Sequence, residues 1–345
     1  MNKMSEKSEE MPDNETDQPL VTFALFAYNQ EKYIREAVEG AFAQTYEPLE
    51  IILSDDCSTD RTFEIMQDMA AGYEGPHSVR VRRNETNIGI IDHLLTVAHS
   101  ANGRLFIVAA GDDISYNNRA EEITAEWKRS GAIALYSACD ECTDDGEIVA
   151  KVILPDPLDR IQELFNNCVL ARRFDGKVRH IPGYSAAYDT KFLKDFPLSG
   201  EGAHNEDALL TYAVNLKGGL IDVVPGCLMC RRISNTSISI KIIFKDTSEV
   251  KKNEFVIRDF SRSTLKFFKY FLRLEDKFER HDYSIIKRSL RKMMPYYYTV
   301  SIFWELSLPQ RFKRLFTCRS SMETKFIFPR LLGINAFCAI KKFIG

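Results

Sequence analysis

Two pairs of adjacent aspartates follow apolar stretches in the first third of the sequence. Asp55 and Asp56 come after the run LEIIL, and Asp112 and Asp113 come after RLFIV. Adjacent carboxylates repel each other and are costly to bury, so each pair needs a partner. Mg²⁺ and Mn²⁺ prefer oxygen ligands and commonly combine one or two protein carboxylates with substrate phosphates and water. Asp112 and Asp113 are therefore candidate ligands of a divalent cation that carries a diphosphate.

Alternating strand and helix signals determine where these aspartates lie. The predicted strands are the short runs LVTFALF (20–26), LEIIL (49–53), VRVRR (79–83) and RLFIVAA (104–110). Between them, apolar residues recur at helical spacing, for example Ile34, Ala37, Val38 and Ala41. This alternation predicts an α/β fold with a Rossmann-like, mostly parallel central sheet flanked by helices. Residues 131–240 carry mixed signals, with a short helix predicted from Asp207 to Leu216, and the chain after Ile242 is helical, aromatic and basic.

Three of the predicted strands are followed by polar loops. Ala27, Tyr28 and Asn29 follow the first strand, and the two aspartate pairs follow the second and the fourth. Ligands of open α/β sheets bind outside the carboxyl ends of the strands. If these strands are parallel neighbours, the loops share one rim, where Asp55 and Asp56 can accept hydrogen bonds from a ribose hydroxyl or a base N–H. The pattern favours a site for a nucleotide diphosphate with a divalent cation. Capping of the next helix is the simpler explanation for Asp60, with Ser58 as the alternative cap.

The composition, with 45% hydrophobic and 28% charged residues among 345, is typical of a soluble globular protein. Residues 1–18 are polar and acidic, so we expect a disordered tail and no signal peptide. No apolar run approaches the roughly 18 residues that cross a bilayer. The eight cysteines are accordingly expected to be reduced thiols in a cytoplasm. The motifs CDEC (139–142) and CLMC (227–230) have the spacing of a zinc site, but both fall in apparent strands, where residues i and i+3 face opposite sides.

Five segments, in consistent order from Leu20 to Ser239, resemble the family 2 glycosyltransferases of the GT-A fold. The segment VTFALFAYNQEKYIREAVEGAFAQTYEPLEIILSDDCSTDRT resembles the opening of that family, and NETNIGI resembles its Asn-x-Gly segment. AAGDDIS stands where the family has its metal-binding aspartates. NEDALLTYAVNLKGG resembles the later Glu-Asp helix start, and CRRISNTSIS resembles the closing strand.

The resemblance implies an inverting, non-processive transferase that uses a nucleotide-sugar donor, with a UDP-sugar expected, and Mg²⁺ or Mn²⁺. It assigns the metal to Asp112 and Asp113 and the catalytic base to Asp207 with Glu206 beside it. It implies that the donor is bound by Ala27, Tyr28, Asn29, Glu31, Asp55, Asp56, Asn87, Gly89 and Asp112. In addition, Arg231 or Arg232 could reach the diphosphate. The acceptor would be a saccharide or a lipid-linked saccharide, and the pathway would be the synthesis of a bacterial surface polysaccharide.

A catalytic base at Asp207 also agrees with the local pattern. Asp207 begins an apolar-patterned helix after the polar segment GEGAHN, and a helix N-terminus favours an ionised carboxylate. The alternative is that Asn205 or Glu206 only caps the helix. Ala110 and Ile233 depart from the family pattern, because an acidic residue and a histidine are common at these places. A non-catalytic nucleotide-sugar-binding or scaffold protein on the same fold therefore stays as the second hypothesis.

The C-terminal part of the chain is basic, whereas the rest is acidic. Residues 251–345 hold 21 Lys and Arg against 8 Asp and Glu, and residues 1–250 hold 25 against 41. Basic helices rich in Phe and Leu can lie at an anionic membrane surface, here the inner face of the plasma membrane. A helical cap or an oligomer interface is the alternative. The aromatic residues recur at helical spacing, so packing explains them and nucleic-acid binding is not expected.

The predicted regions are the tail 1–18, a GT-A domain 19–240 with a nucleotide-sugar-binding half (19–115) and an acceptor half (116–240), and the helical region 241–345.

Overall fold

The computed structural model of the protein describes residues 18–152, 181–200, 202, 206–233, 247–278, 280–317 and 327. The predicted acidic tail lies outside the described residues except for its last residue. The strands are β1 (Val21–Ala27), β2 (Leu49–Asp55), β3 (Ser78–Arg83), β4 (Leu105–Ala110), β5 (Ile114–Ser115), β6 (Ala134–Cys142), β7 (Ile148–Val152), β8 (Ala186–Asp189) and β9 (Ile221–Arg232). The helices are α1 (Ile34–Phe42), α2 (Thr62–Ala71), α3 (Ile90–Ser100), α4 (Arg119–Ser130), α5 (Thr190–Lys194), α6 (Glu206–Leu216), α7 (Thr247–Leu272), α8 (Arg280–Ile302) and α9 (Leu308–Phe316).

All nine strands belong to one mixed sheet. Eight of them follow the order β3-β2-β1-β4-β8-β6-β9-β5, and β7 lies outside this order and pairs with residues 139–142 of β6. The first four strands pair in parallel, and β6 and β9 are also parallel to each other. Strand β8 runs antiparallel between β4 and β6. The predicted parallel sheet is thus confirmed for its first half, and the mixed signals of 131–240 correspond to the antiparallel insertions.

The side chains of β1 alternate between the two faces of the sheet. Val21, Phe23 and Leu25 pack with α1, α2 and α4 on one face. Ala24 belongs to the core on the other face, which is built by α3, α5, α6, α7 and α8. This alternation follows from the two-residue period of a strand. The C-terminal helices α7 and α8 therefore share a core with the sheet.

Several element ends differ from the sequence expectation. Strand β2 extends to Asp55, so this aspartate is the last residue of the strand and only Asp56 is in the loop. Helix α2 begins at Thr62 with Arg61 at the cap position, and Asp60 Oδ1 accepts the Thr62 N–H at 3.0 Å. Asp60 therefore satisfies a first-turn amide as expected, although it lies one residue before the formal cap. Helix α6 begins one residue early, at Glu206, and so contains both members of the acidic pair.

The four cysteines of the CDEC and CLMC motifs lie on the adjacent strands β6 and β9, and all are free thiols. Over the described ranges, no group of three or more His, Cys, Asp or Glu side chains is arranged to hold a metal. None of the described helices is long and apolar enough to cross a membrane.

Candidate active site

The carboxyl ends of β1, β2 and β4 meet at one rim, as predicted. The Asp56 N–H donates to the Ala27 carbonyl at 2.9 Å, and the Gly111 N–H donates to the Phe26 carbonyl at 2.8 Å. Hydrogen bonds thus join the loops after β2 and β4 to the last two residues of β1. The rim carries the exposed ring of Tyr28, while Ala27 beneath it is buried.

Asp55 supports the loop after β2 from below. Its side chain is fully enclosed, and it accepts the Ser58 N–H at 2.8 Å as well as the Ser58 hydroxyl. The Arg83 guanidinium of β3 pairs with it at 3.2 Å. These partners hold the loop in a fixed shape. The arrangement gives Asp55 a place under the candidate donor site, where it shapes the loop that carries Asp56.

Asp56 joins the loop after β2 to the loop 84–89. Its Oδ1 accepts from Asn84 Nδ2 at 2.8 Å and from the Ile88 N–H at 3.0 Å, and its Oδ2 accepts the Gly89 N–H at 3.1 Å. Asn87 Oδ1 also lies 3.2 Å from the Gly89 N–H. Gly89 has a φ of 79°, a left-handed conformation that suits glycine. Asp56 and Asn87 therefore both lie within hydrogen-bond distance of the Gly89 amide.

Asn29 and Glu31 connect the loop after β1 to the start of α2. Asn29 Oδ1 accepts the Thr59 N–H at 2.8 Å, and its own N–H donates to Ser58 Oγ at 2.8 Å. Glu31 Oε2 accepts the Arg61 N–H at 3.0 Å. Asn29 adopts a φ of 53°, which asparagine tolerates better than most residues. The two loops form one braced unit at the rim.

A buried histidine lies behind this unit. His93 Nε2 lies 2.5 Å from Ser54 Oγ, which also accepts from Arg82 at 2.6 Å. Burial lowers the pKa of His93 to about 4, so the imidazole is neutral at physiological pH. Sequence reasoning missed this group, because nothing in the spacing of Ser54 and His93 shows that they meet.

Asp112 and Asp113 lie at the end of β4 in a poorly solvated environment. Burial raises the pKa of both carboxyls, and repulsion by Asp112 raises the pKa of Asp113 further, to about 7. Asp113 Oδ1 accepts the Arg232 N–H at 2.9 Å. Two carboxylates in such a place fit a divalent cation, because a cation would offset both the desolvation and the mutual repulsion. With no third ligand nearby in the described ranges, substrate phosphate and water would have to complete the coordination.

Arg119 lies beneath the aspartate pair and was not predicted from the sequence. Its side chain is completely buried, and it donates to Ser115 Oγ at 2.8 Å, to the Val108 carbonyl at 2.7 Å and to the Tyr184 carbonyl at 3.1 Å. Burial lowers the pKa of Arg119 to about 10, so the guanidinium keeps its charge at neutral pH. Its charge favours ionised Asp113, and its bonds join β4, β5 and the turn that contains Tyr184.

Arg231 and Arg232 form the opposite wall of the aspartate site. Arg231 pairs with Glu141, and its guanidinium lies 5.0 Å from the centre of the Tyr184 ring. Arg232 is buried, pairs with Glu36 and donates to the Asp144 carbonyl. Both cations therefore already have partners, and Arg232 reaches Asp113 through its backbone.

The acidic pair Glu206–Asp207 forms the first turn of α6 and faces the turn 183–185. A Cβ atom on Gly183 would lie 2.4 Å from Glu206 Oε1, so the carboxyl in its present position packs directly against the backbone of Gly183. Burial and the neighbouring Asp207 raise the pKa of Glu206 to about 8. The next residue, Tyr184, accepts the hydrogen bond from Arg119. The turn 183–185 thus links the two acidic pairs. Asn205 and His204 lie outside the described residues.

Comparison with known proteins agrees with this arrangement. The profile of the family described as "Glycosyl transferase family 2" matches residues 22–196, about half of the chain. An uncharacterised protein of Mycobacterium bovis is 43% identical over 94 residues, and this match spans 27% of each protein. The Escherichia coli protein named UDP-Glc:alpha-D-GlcNAc-diphosphoundecaprenol beta-1,3-glucosyltransferase WfgD is 26% identical over 259 residues, which cover 74% of this chain and 92% of WfgD.

The fold is also similar to that of a solved structure. The mannosyltransferase PcManGT from Pyrobaculum calidifontis, in complex with GDP-Man and Mn²⁺, aligns with a TM-score of 0.51 at 13% identity, covering 95% of this chain and 88% of that one. This likeness supports the GT-A architecture that the resemblance implies, a mixed sheet flanked by helices and followed by a helical C-terminal region. From the family match and the fold together, the chain belongs to glycosyl transferase family 2.

Proposed function

We propose that the protein transfers a sugar from a nucleotide-sugar donor to a hydroxyl group of a saccharide acceptor, with inversion at the anomeric carbon. The observation that carries the proposal is the link between two acidic pairs, Asp112–Asp113 and Glu206–Asp207, through the turn 183–185. One pair suits the diphosphate end of a donor and the other suits the acceptor hydroxyl. A single base opposite a diphosphate leaving group is sufficient for direct displacement, whereas a hydrolase with paired carboxylates also needs an acid.

In the proposed reaction the acceptor oxygen attacks the anomeric carbon and its proton passes to Asp207. The bond between that carbon and the diphosphate oxygen breaks, and the diphosphate leaves with the electron pair. Asp56 and the loop 84–89 hold the nucleotide, which keeps the donor in line with the acceptor. Mg²⁺ or Mn²⁺ at Asp112 and Asp113 would neutralise the charge of the leaving diphosphate.

Donor binding tests this proposal. We expect one member of a panel of UDP-Glc, UDP-GlcNAc and GDP-Man to raise the melting temperature by about 3 °C or more when Mn²⁺ is present, since a ligand at 100 times its Kd adds about 2.7 kcal/mol. In Asp113→Asn the part of the shift that depends on Mn²⁺ should disappear, because the amide keeps the acceptor for Arg232 but loses the charge.

Asp145→Asn is the matched control, because Asp145 is exposed in the loop between β6 and β7. It should retain the full shift. A shift that depends on Mn²⁺ equally in both variants would exclude Asp113 as a ligand, and a panel without any shift would contradict a nucleotide-sugar donor.

We further propose that the acceptor is lipid-linked and that helix α9 holds the protein at the inner face of the plasma membrane. WfgD, the relative with the long match, is named for an acceptor of that class. On α9, Leu308, Phe312 and Phe316 follow one another at four-residue spacing and are exposed by 47%, 39% and 85%. A neighbouring side of the helix faces the protein, because Arg311 lies over the rings of Phe303 and Trp304 at 5.3 and 5.2 Å.

The exposed face of α9 can be tested by flotation with phosphatidylglycerol vesicles. The double substitution Phe312→Ser and Phe316→Ser should lower the bound fraction about tenfold, because two aromatic side chains no longer enter the lipid interface. The control is Ile148→Ser with Val149→Ser, two exposed apolar residues of β7. Equal flotation of the two double variants, or self-association through α9 without flotation, would contradict the membrane proposal.

A further inference from the structure

The segment before the acidic pair Glu206–Asp207 is held by a buried carboxylate of α3. Asp92 is 4% exposed, and it accepts hydrogen bonds from the Ser199 N–H, from Ser199 Oγ at 2.7 Å and from the Gly200 N–H at 3.0 Å. Three bonds to one buried carboxylate fix the backbone at 199–200. The segment therefore has a defined position next to α3, the helix that begins directly after Gly89.

Helix α7 holds the same segment from the other side. The Tyr270 hydroxyl donates to the Pro197 carbonyl at 2.6 Å, and Arg273 donates to the Ser199 carbonyl at 2.5 Å. Lys266, Tyr270 and Arg273 lie at positions i, i+4 and i+7, which share one face of a helix. That face of α7 is consequently turned toward the segment that leads to Glu206.

Lys266 reaches the point where this segment touches the candidate donor loop. The backbone of Gly202 would lie 2.9 Å from a Cβ atom on Gly89, so the two backbones meet without a side chain between them. A Cβ atom on Gly202 would lie 3.5 Å from the Ile88 carbonyl and 3.9 Å from Lys266 Nζ. The ammonium group of Lys266 thus lies at the junction of the loop that Asp56 binds and the segment that precedes the acidic pair.

The positive charge at this junction is not neutralised by any described side chain. Lys266 is exposed, as is Lys269 one turn along, and neither has a carboxylate partner among the described residues. The donor diphosphate already has a charge partner in the cation expected at Asp112 and Asp113, in the loop after β4. A second cationic group, next to Gly202 in the segment that precedes the acidic pair, therefore suits a second anion, one carried by the acceptor.

We propose that Lys266, with Lys269 beside it, binds a phosphate group of the acceptor close to the sugar that is extended. This inference rests on the proposed transferase function and adds that the acceptor is a phosphate- or diphosphate-linked saccharide. An ammonium group at the end of a flexible side chain binds phosphate as a point charge, and an exposed position lets the phosphate enter from solvent or from a lipid surface. A phospholipid headgroup offers the same chemistry, so the experiment must separate the two sources.

The test is a calorimetric titration with geranyl diphosphate, a short diphosphate lipid, with and without saturating UDP and Mg²⁺. Lys266→Glu should weaken the binding of geranyl diphosphate at least about tenfold under both conditions, because a favourable charge contact becomes a repulsive one. The affinity for UDP should be unchanged. Lys191→Glu is the matched control, since Lys191 is exposed on the short helix α5 and carries the same charge change.

Flotation on phosphatidylglycerol vesicles without acceptor provides the second arm. Loss of geranyl diphosphate binding in Lys266→Glu, with flotation equal to that of Lys191→Glu, supports the acceptor-phosphate site. Equal binding of geranyl diphosphate by the two variants, or a loss in flotation alone, overturns it. Failure of UDP to bind the unmodified protein would contradict the proposed function, while the titration without UDP would still decide the role of Lys266.

Discussion

Replacing Asp207 with asparagine is expected to lower the turnover number for sugar transfer by about a thousandfold, within the range of a positioned general base. The amide has nearly the shape of the carboxylate but cannot take the proton of the acceptor hydroxyl. The KM for the donor should change little, because the residues proposed to hold the donor, Asp56, Asp112 and Asp113, lie in loops after other elements. Initial rates with the donor found by thermal shift, measured at saturating acceptor, provide the comparison.

Glu206→Gln is the matched control for that substitution. Burial and Asp207 raise the pKa of Glu206 to about 8, so this carboxyl carries a proton at pH 7 and glutamine is close to its native form. We expect turnover within about threefold of the unmodified protein. If Glu206→Gln loses as much activity as Asp207→Asn, the assignment of the base to Asp207 is wrong.

The protonation of Glu206 also makes the free energy of unfolding depend on pH. The folded protein holds this proton up to pH about 8, whereas the unfolded chain releases it near the ordinary pKa of 4.5. The folded state thus binds more protons between these values, and the contribution of Glu206 to the free energy of unfolding falls as pH rises through that window. Urea titrations at pH 5 and pH 8 should show a smaller fall in Glu206→Gln than in the unmodified protein.

Replacing Arg119 with methionine is expected to reduce the free energy of unfolding by about 3–5 kcal/mol. The substitution removes the hydrogen bonds to Ser115, Val108 and Tyr184 and takes away one of the cations that favour ionised Asp113. Methionine fills much of the volume, so the loss reflects charge and hydrogen bonding more than a cavity. The midpoint and slope of urea unfolding, followed by circular dichroism, provide the value.

Arg129→Met in the same helix is the control for Arg119→Met. Arg129 is 67% exposed at its side chain and pairs with Glu126 three residues earlier, an arrangement that contributes less than about 1 kcal/mol. A loss in Arg119→Met no larger than that in Arg129→Met would show that the buried guanidinium is not needed to stabilise the aspartate site.

The parts of the site that the sequence could predict are those encoded locally. Asp56 and Asp112 come shortly after apolar runs, and strand–helix alternation places the ends of parallel strands at one rim. The positions of the first three helices and four strands follow the same logic. Asn87 and Gly89 are predicted by the resemblance alone, and the hydrogen bonds that join Gly89 to Asp56 and to Asn87 follow from no rule of sequence spacing.

The parts that could not be predicted depend on contacts between distant segments. Asp92 meets Ser199 across 107 positions of sequence, and Arg119 meets Tyr184 across 65. A buried arginine or aspartate looks like a surface residue in the sequence, because its charge is compensated by partners from other elements. The position of β8 between β4 and β6 could not be predicted either, since the sequence of a four-residue strand does not determine which strands it pairs with.

The shared core of the sheet and the C-terminal helices affects how the protein can be synthesised. Phe267 and Phe271 of α7 contact Tyr212 of α6, with ring centres 6.1 and 6.2 Å apart, on the face of the sheet that also buries Leu94. A growing chain emerges from the ribosome N-terminus first. All of the candidate catalytic residues therefore leave the ribosome before the aromatic residues that cover this face, and the nascent chain keeps an uncovered apolar surface until α7 has emerged. The protein can reach its active shape only after α7 has emerged, and chaperones can bind the uncovered surface until then.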